Sequence, residues 1–349
     1  MSANIERFLL KNVISRLPAP LLVRIAGGKP VTVAGRTLHP LFQFMMFANR
    51  NKPGMEILSP ARARSAYTQV IAIAEADELQ MARIRDDRVA VTGGHIRVRT
   101  YTPPGLGAAD GAQTAAIVYF HGGGHVVGDI DNYDRTVRYI AAQAGCRLVN
   151  VDYRCAPEHK FPTAAEDAIA AFRWVQDNAA PLGIDATRLA VMGDSAGGNL
   201  AAVVTMAARD RGFAPPKVQC LVYPVVDLRL VSESLTTLGS GFGLTRPLIQ
   251  WFANHYVRDA ADREDVLGSP LLARSHAQLA PAIVTVAGFD PLHDEGVAYA
   301  EKLRAAGVPV TLLRHNDLTH AWVTMTGAVP PAQAAMDETC ARVKKALQS

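Results

Sequence analysis

The chain has 349 residues, and 36 Lys and Arg against 32 Asp and Glu give it a formal net charge of +4. That length can bury a large core as one structural unit. The weak charge, without a dense basic run, argues against nucleic acid as a partner, and no apolar run reaches the roughly 18 to 20 residues of a membrane span.

Residues 4–17 read as an amphipathic helix with Ile5, Phe8, Leu9, Val13 and Leu17 on one broad face, ended by Pro18 and Pro20. Its Arg and Lys residues interrupt any continuous apolar region, so no signal peptide is expected. A short apolar stretch at 21–25 and a Gly27-Gly28-Lys29-Pro30 turn follow. Residues 41–47 are strongly apolar, with Phe44 and Met45 at their centre, and 60–76 read as a helix. Residues 1–88 hold 13 of the basic and 7 of the acidic residues, so the positive excess lies at this end. Residues 89–92 and 96–101, joined by Gly93-Gly94, predict a β-hairpin, and 103–113 a turn-rich loop.

Residues 115–120 form the best buried-strand candidate and run into His121-Gly122-Gly123-Gly124. Glycines let a backbone approach a reacting group closely enough for its N–H groups to bind an oxyanion. Residues 134–144 read as a helix, 146–152 as a buried strand and 164–178 as a helix. A strand at 188–193 then meets Gly193-Asp194-Ser195-Ala196-Gly197-Gly198 and a helix from 199 to 209. A serine between two glycines at a strand-to-helix junction reads as a nucleophile elbow. Side chains at 193 and 197 would collide in so tight a turn. The bare pattern arises by chance in roughly one chain in ten of this length, so its weight comes from the context and from the glycine loop upstream.

Residues 218–223 read as a strand. From 226 to 274 the strand-helix rhythm fails, leaving Gly239-Ser240-Gly241-Phe242-Gly243 and an aromatic helix at 248–256 that carries Trp251. The glycine loop there reads equally as a mobile lid or a plain connector. A buried strand at 283–288 ends at Asp290, where open α/β sheets collect their sites. A helix at 295–305, a strand at 310–314 and a helix at 331–347 complete the chain. His315 abuts the end of the last strand and His320 lies beyond it; Asp294 and Asp317 are weaker rivals to Asp290. The order Ser, Asp, His is that of an α/β-hydrolase triad.

These motifs together resemble the hormone-sensitive-lipase-like branch of the α/β-hydrolases, the bacterial family IV esterases. Tyr153-Arg154-Cys155-Ala156-Pro157-Glu158-His159 resembles that family's Y-R-L-A-P-E-H, with Cys155 in place of Leu. Asp290-Pro291-Leu292-His293-Asp294-Glu295 resembles its D-P-L-x-D-E, and Thr319-His320-Ala321-Trp322 its H-G-F or H-A-F. Leu38-His39-Pro40 and Leu58-Ser59-Pro60 resemble its N-terminal cap. The resemblance implies an α/β-hydrolase fold, a mostly parallel central sheet flanked by helices with a helical cap. It divides the chain into cap (1–80), core (81–225), second part of the cap (226–274) and core (275–349).

It further implies Ser195, Asp290 and His320 as catalytic residues and the N–H groups of Gly123, Gly124 and Ala196 as an oxyanion hole. His121, Gly122, Gly193, Asp194 and Gly197 support the two motifs. His121 is then a loop-orienting hydrogen bonder, and Glu158-His159 a structural lock in preference to an acid/base pair. Phe44, Met45, His125 and Trp251 are candidates for the substrate pocket; His125 stands where the family more often has an aromatic residue. The expected activity is hydrolysis of short- to medium-chain esters. The rivals are an amidase or acylaminopeptidase, and a non-catalytic small-molecule receptor on the same fold. No metal or cofactor is expected, and a homodimer is implied by the resemblance alone. Cys146, Cys155, Cys220 and Cys340 form no CxxC pair, so free thiols in a reducing, cytoplasmic setting are expected.

Overall fold

Three prolines set the starts of the second, third and fourth helices in a computed structural model, which describes residues 3–106 and 113–349; part of the loop expected at 103–113 lies outside them. Helix α1 spans Ala3–Asn12 and is followed by a single 3-10 turn at Ile14–Arg16. Helix α2, Ala19–Ile25, starts behind Pro18. A small antiparallel hairpin, β1 (Thr32–Val33) and β2 (Arg36–Thr37), leads to α3 (Pro40–Asn49), whose first N–H groups include one bound by the His39 ring. Helix α4 covers Pro60–Ala74. Proline suits the first turn of a helix because its missing N–H would be unpaired there anyway. The single helix expected over 4–17 breaks after Asn12, with Val13 at φ −118° and ψ −63° leading into the 3-10 turn. Its buried residue is Leu10, whereas Ile5 and Phe8 are 50% and 61% exposed.

The body is one eight-stranded sheet. A hairpin of β3 (Arg83–Val91) and β4 (Gly94–Thr102) forms one edge. Next in the chain come β5 (Thr114–Phe120), α5 (Asp134–Ala144), β6 (Arg147–Asp152) and α6 (Thr163–Asp177). Then follow β7 (Ile184–Asp194), α7 (Ala196–Arg211) and β8 (Val218–Val222). The segment to β9 holds α8 (Ser234–Thr237) and α9 (Arg246–Tyr256). Strand β9 (Ala282–Phe289), α10 (His293–Ala305), β10 (Val310–Thr319) and α11 (Pro330–Gln348) end the chain. The strand order is β10-β9-β8-β7-β5-β6-β4-β3, and every pair from β6 to β10 is parallel.

Alternate residues of the central strands feed two cores, as the period of a strand requires. Val118, Val149, Val191, Leu221 and Val284 pack with α6, α7 and α10 on one face. Ile117, Leu148, Ala190, Cys220 and Ile283 pack with α5 and α11 on the other. Leu10, Leu22, Phe42 and Ile71 of the N-terminal helices join this second core.

The chain leaves β5 toward β6 on one side and returns to β7 on the other. That makes the β5–β7 boundary the switch point where such sheets open a crevice. Phe120 pairs with Gly193 across it, so the loops after β5 and β7 leave the sheet at one level. Phe289 and Thr319 pair likewise, which brings Asp290 and His320 out side by side. Two buried side chains pin the irregular segment after β8. Asn199 donates to the carbonyls of Val225 and Gly268, and Glu295 accepts from the N–H groups of Val226 and Asp227. All four cysteines are free, and burial pushes the Cys146 and Cys155 thiols up to about 12. Among the described residues no helix is long and apolar enough to cross a membrane.

Candidate active site

Strand β7 ends in an elbow that only glycines can flank. A Cβ on Gly193 would strike the backbone of Gly197, and one on Gly197 would strike the carbonyls of Phe120 and His121. Ser195 between them is held at φ 56° and ψ −116°. Such a conformation costs about 1 to 3 kcal/mol and persists only when its surroundings over-determine it. Here the Ser195 N–H donates to Val222 (2.9 Å), and its carbonyl accepts from Val225 and Asn199 (3.1 Å each). The strained turn starts α7 directly behind the hydroxyl.

Ser195 Oγ lies 3.0 Å from His320 Nε2, and His320 Nδ1 lies 2.7 Å from Asp290 Oδ2. The other Asp290 oxygen accepts from Leu292 N at 2.8 Å. Asp290 is fully buried, while Ser195 and His320 keep 8% and 9% exposure. The Tyr223 ring packs on the imidazole at 4.4 Å and its hydroxyl accepts from Val323 N, which fixes the turn after His320. Ala321 takes a left-handed conformation in that turn (φ 63°). The arrangement can pass a proton from a serine to an imidazole whose far nitrogen a carboxylate orients.

Gly123 and Gly124 have φ of +113° and +60°, and among the described residues nothing accepts from their N–H groups or from that of Ala196. Backbone donors left unpaired at the mouth of a site suit a developing negative charge. His121 is fully buried. Its Nδ1 meets the Gly122 carbonyl at 2.8 Å, and its ring stacks on Tyr153 at 4.3 Å. Asp194 faces inward, where its Oδ1 accepts from Gly122 N (2.9 Å) and Tyr119 (2.7 Å) and its Oδ2 from Tyr133 (3.0 Å). Burial pushes this carboxyl above the usual range, although the two phenol hydrogen bonds oppose the shift.

The pocket candidates pack on different cores. Phe44 and Met45 are partly buried in the core that holds Leu41 and Phe42, whereas Trp251 packs on the opposite core. His125 (φ 61°) is buried and stacked on Tyr256 at 3.9 Å, with no hydrogen bond to the triad. Phe252, one residue from Trp251, is the ring that stands on the glycine loop: a Cβ on Gly124 would run into it. No local pattern distinguished it from its neighbour.

Glu158 pairs with Arg64 of α4, whose guanidinium also donates to the carbonyls of Val126 and Ala156. His315 lies edge-on to Trp322, and Asp294 accepts from Ser234 N. Among the described residues no group of His, Cys, Asp or Glu could hold a metal ion.

A family model described as the alpha/beta hydrolase fold matches residues 117–324. A carboxylic ester hydrolase of Mycobacterium tuberculosis, LipN, is 39% identical over 321 residues, 90% of this chain and 84% of that protein. An ethyl acetate hydrolase of Pseudomonas putida is 39% identical over 296 residues, 84% of this chain and 91% of that one. Among solved structures, a mutant α/β-hydrolase enzyme from the metagenome of Lake Arreo superposes with a TM-score of 0.83 at 39% identity, covering 88% of this chain and 97% of that one. A thermostable carboxylesterase from a metagenomic library gives 0.79 at 39% identity, over 84% and 99%.

Proposed function

Because the chain belongs to the hormone-sensitive-lipase-like branch of the α/β-hydrolases and is a carboxylic ester hydrolase, we propose that Ser195 is its nucleophile, His320 its general base and acid, and Asp290 the carboxylate that orients His320. The observation that carries this reading is the pair of contacts, 3.0 Å and 2.7 Å, that joins the three. Ser195 attacks the ester carbonyl as His320 takes its proton. The N–H groups of Gly123, Gly124 and Ala196 hold the oxyanion. His320 returns the proton to the leaving alcohol, and water cleaves the acyl-enzyme by the same route.

Short to medium acyl chains are the proposed substrates. The Phe252 ring against Gly124 supports this by narrowing the space beside the donors. So does the ethyl acetate hydrolase among the relatives, which is named for a short-chain ester. We divide the chain into a catalytic body, 81–225 and 275–349, and a two-part cap, 1–80 and 226–274. The approach of Met46 to Gly243 and of the turn at Met55–Ile57 to α9 supports that division. Four free thiols support a reducing, cytoplasmic setting. A homodimer is the proposed assembly, on the family resemblance.

The test is turnover of p-nitrophenyl esters from acetate to palmitate, with a matched anilide, by wild type and Ser195→Ala. Activity should peak at short chains, exceed that on the anilide, and fall by about 10⁴-fold or more in the variant. Turnover that survives in Ser195→Ala overturns the mechanism, and an anilide cleaved as fast as its ester makes the protein an amidase.

A further inference from the structure

The glycine loop that carries two of the proposed oxyanion donors is closed by the N–H groups of Val126 and Val127 on the Gly123 carbonyl, and the Gly122 peptide before it is held from outside the loop. Glycines at positive φ leave the peptide planes free to turn, and a donor serves only when it is aimed in advance. The Asp194 carboxylate supplies the anchor. It binds Gly122 N directly, and a Cβ on Gly122 would collide with it. The residue next to Ser195 thus sets the glycine loop relative to the serine.

Asp194 itself is 2% exposed, and among the described residues no Lys or Arg pairs with it. Its oxygens rest on O–H and N–H donors alone. Tyr133 has one hydroxyl proton and gives it to Asp194 Oδ2. In the 2.9 Å contact between the Tyr67 and Tyr133 hydroxyls, the proton must then be that of Tyr67. Donors therefore run from Tyr67, on α4, through Tyr133 to Asp194, and the Gly122 N–H donates to both the Asp194 carboxylate and, at 3.2 Å, the Tyr133 hydroxyl. In such chains each hydrogen bond polarises the next.

We propose that Tyr67 is a positioning residue for ester hydrolysis: its hydroxyl, donating to Tyr133, holds the Asp194 carboxylate and the Gly122 peptide in place, so that the seating of α4 on the body aims the oxyanion donors. This rests on the reading of Gly123, Gly124 and Ala196 as those donors. It makes α4 part of the catalytic geometry, through a helix that reaches no reacting atom. The neighbouring residue supplies a control. Thr68 accepts from Asn132 at 3.1 Å, tying α4 to the same region of the body without leading to Asp194.

The test compares wild type, Tyr67→Phe, Tyr133→Phe and Thr68→Ala on p-nitrophenyl butyrate. A trifluoromethyl ketone serves as oxyanion-forming inhibitor, and amide hydrogen exchange is followed over residues 121–128. In Tyr67→Phe, kcat should fall about tenfold, less than the 10²- to 10³-fold of a deleted donor. KM should stay within about twofold, because the donors act chiefly in the transition state. The inhibition constant of the ketone should rise by the same factor as kcat falls, and the loop should exchange faster. Tyr133→Phe should do more, and Thr68→Ala should match wild type. If Tyr67→Phe matches wild type in kcat and ketone affinity, or if Thr68→Ala loses as much, the proposal fails while the donor reading stands. A wild type that turns over the ester but ignores the ketone overturns the donor reading, and the proposal with it.

Discussion

His125 occupies the position after the glycine loop, where burial favours its neutral ring. It is 2% exposed and stacked flat on Tyr256. Burial pushes its pKa down to about 3, with a smaller push from His121 and a small opposing pull from the Ala196 backbone. The unfolded chain binds a proton at this residue below about pH 6.5, and the folded chain does not until about pH 3. Stability from this site is therefore complete above pH 6.5 and is lost as the pH falls toward 3. Burial lowers His39, His276, His293 and His315 in the same direction. His125→Phe keeps a stacked ring and removes one such proton. It should flatten the decline of unfolding free energy between pH 6 and 4 by up to about 1.4 kcal/mol per pH unit. Urea unfolding at a series of pH values measures this. Equal slopes in both proteins would mean that His125 is protonated in the native state.

At the scale of elements, α4 is tied to the body by more than apolar packing. Arg64 donates to Val126 O (2.9 Å) and Ala156 O (2.8 Å), one residue from His125 and one from Cys155. Its partner Glu158 is more than half exposed, so the ion pair itself contributes at most about 1 kcal/mol. The two carbonyls are the costlier loss, because removing a charged donor leaves them unpaired, at about 1 to 3 kcal/mol. Arg64→Met should lower the melting temperature by several degrees and Glu158→Gln by much less. Calorimetry decides; equal losses would assign the lock to the ion pair. The lock expected from the Tyr153–His159 motif thus depends on an arginine about ninety residues upstream.

At the scale of the whole molecule, the residues proposed to bound the substrate come from segments far apart in the chain. Gly124 follows β5 and Phe252 sits on α9, while Phe44 and Met45 belong to α3 and pack with Leu41 and Phe42. Phe252→Ala should move the preferred acyl chain to longer esters by about two carbons or more, at about 0.8 kcal/mol per methylene buried. Met45→Ala should lower the melting temperature and leave the chain-length profile as it was. The two p-nitrophenyl ester profiles separate these outcomes. A shifted profile in Met45→Ala alone would return α3 to the pocket wall.

Much of this protein is legible from residue order. The buried strands at 115–120 and 283–288, the paired glycines at 193 and 197, and the placement of His320 beyond the last strand all depend on neighbours within a few positions. Apolar runs, tight turns and strand ends are local consequences of side-chain size and backbone freedom, so a linear pattern records them. What tertiary structure alone decided is which distant side chains share a hydrogen bond or a van der Waals surface. The break of the first helix after Asn12, with Ile5 and Phe8 left in solvent, belongs here. So do Phe252 against Gly124, Arg64 on the carbonyls of Val126 and Ala156, Glu295 under Val226, and Tyr67 above Tyr133. Apart from the helix break, each joins residues more than sixty positions apart. Their environment is set by the order of strands in the sheet, and a tyrosine or phenylalanine at helical spacing looks the same in sequence whether it fills a core or aims a catalytic loop.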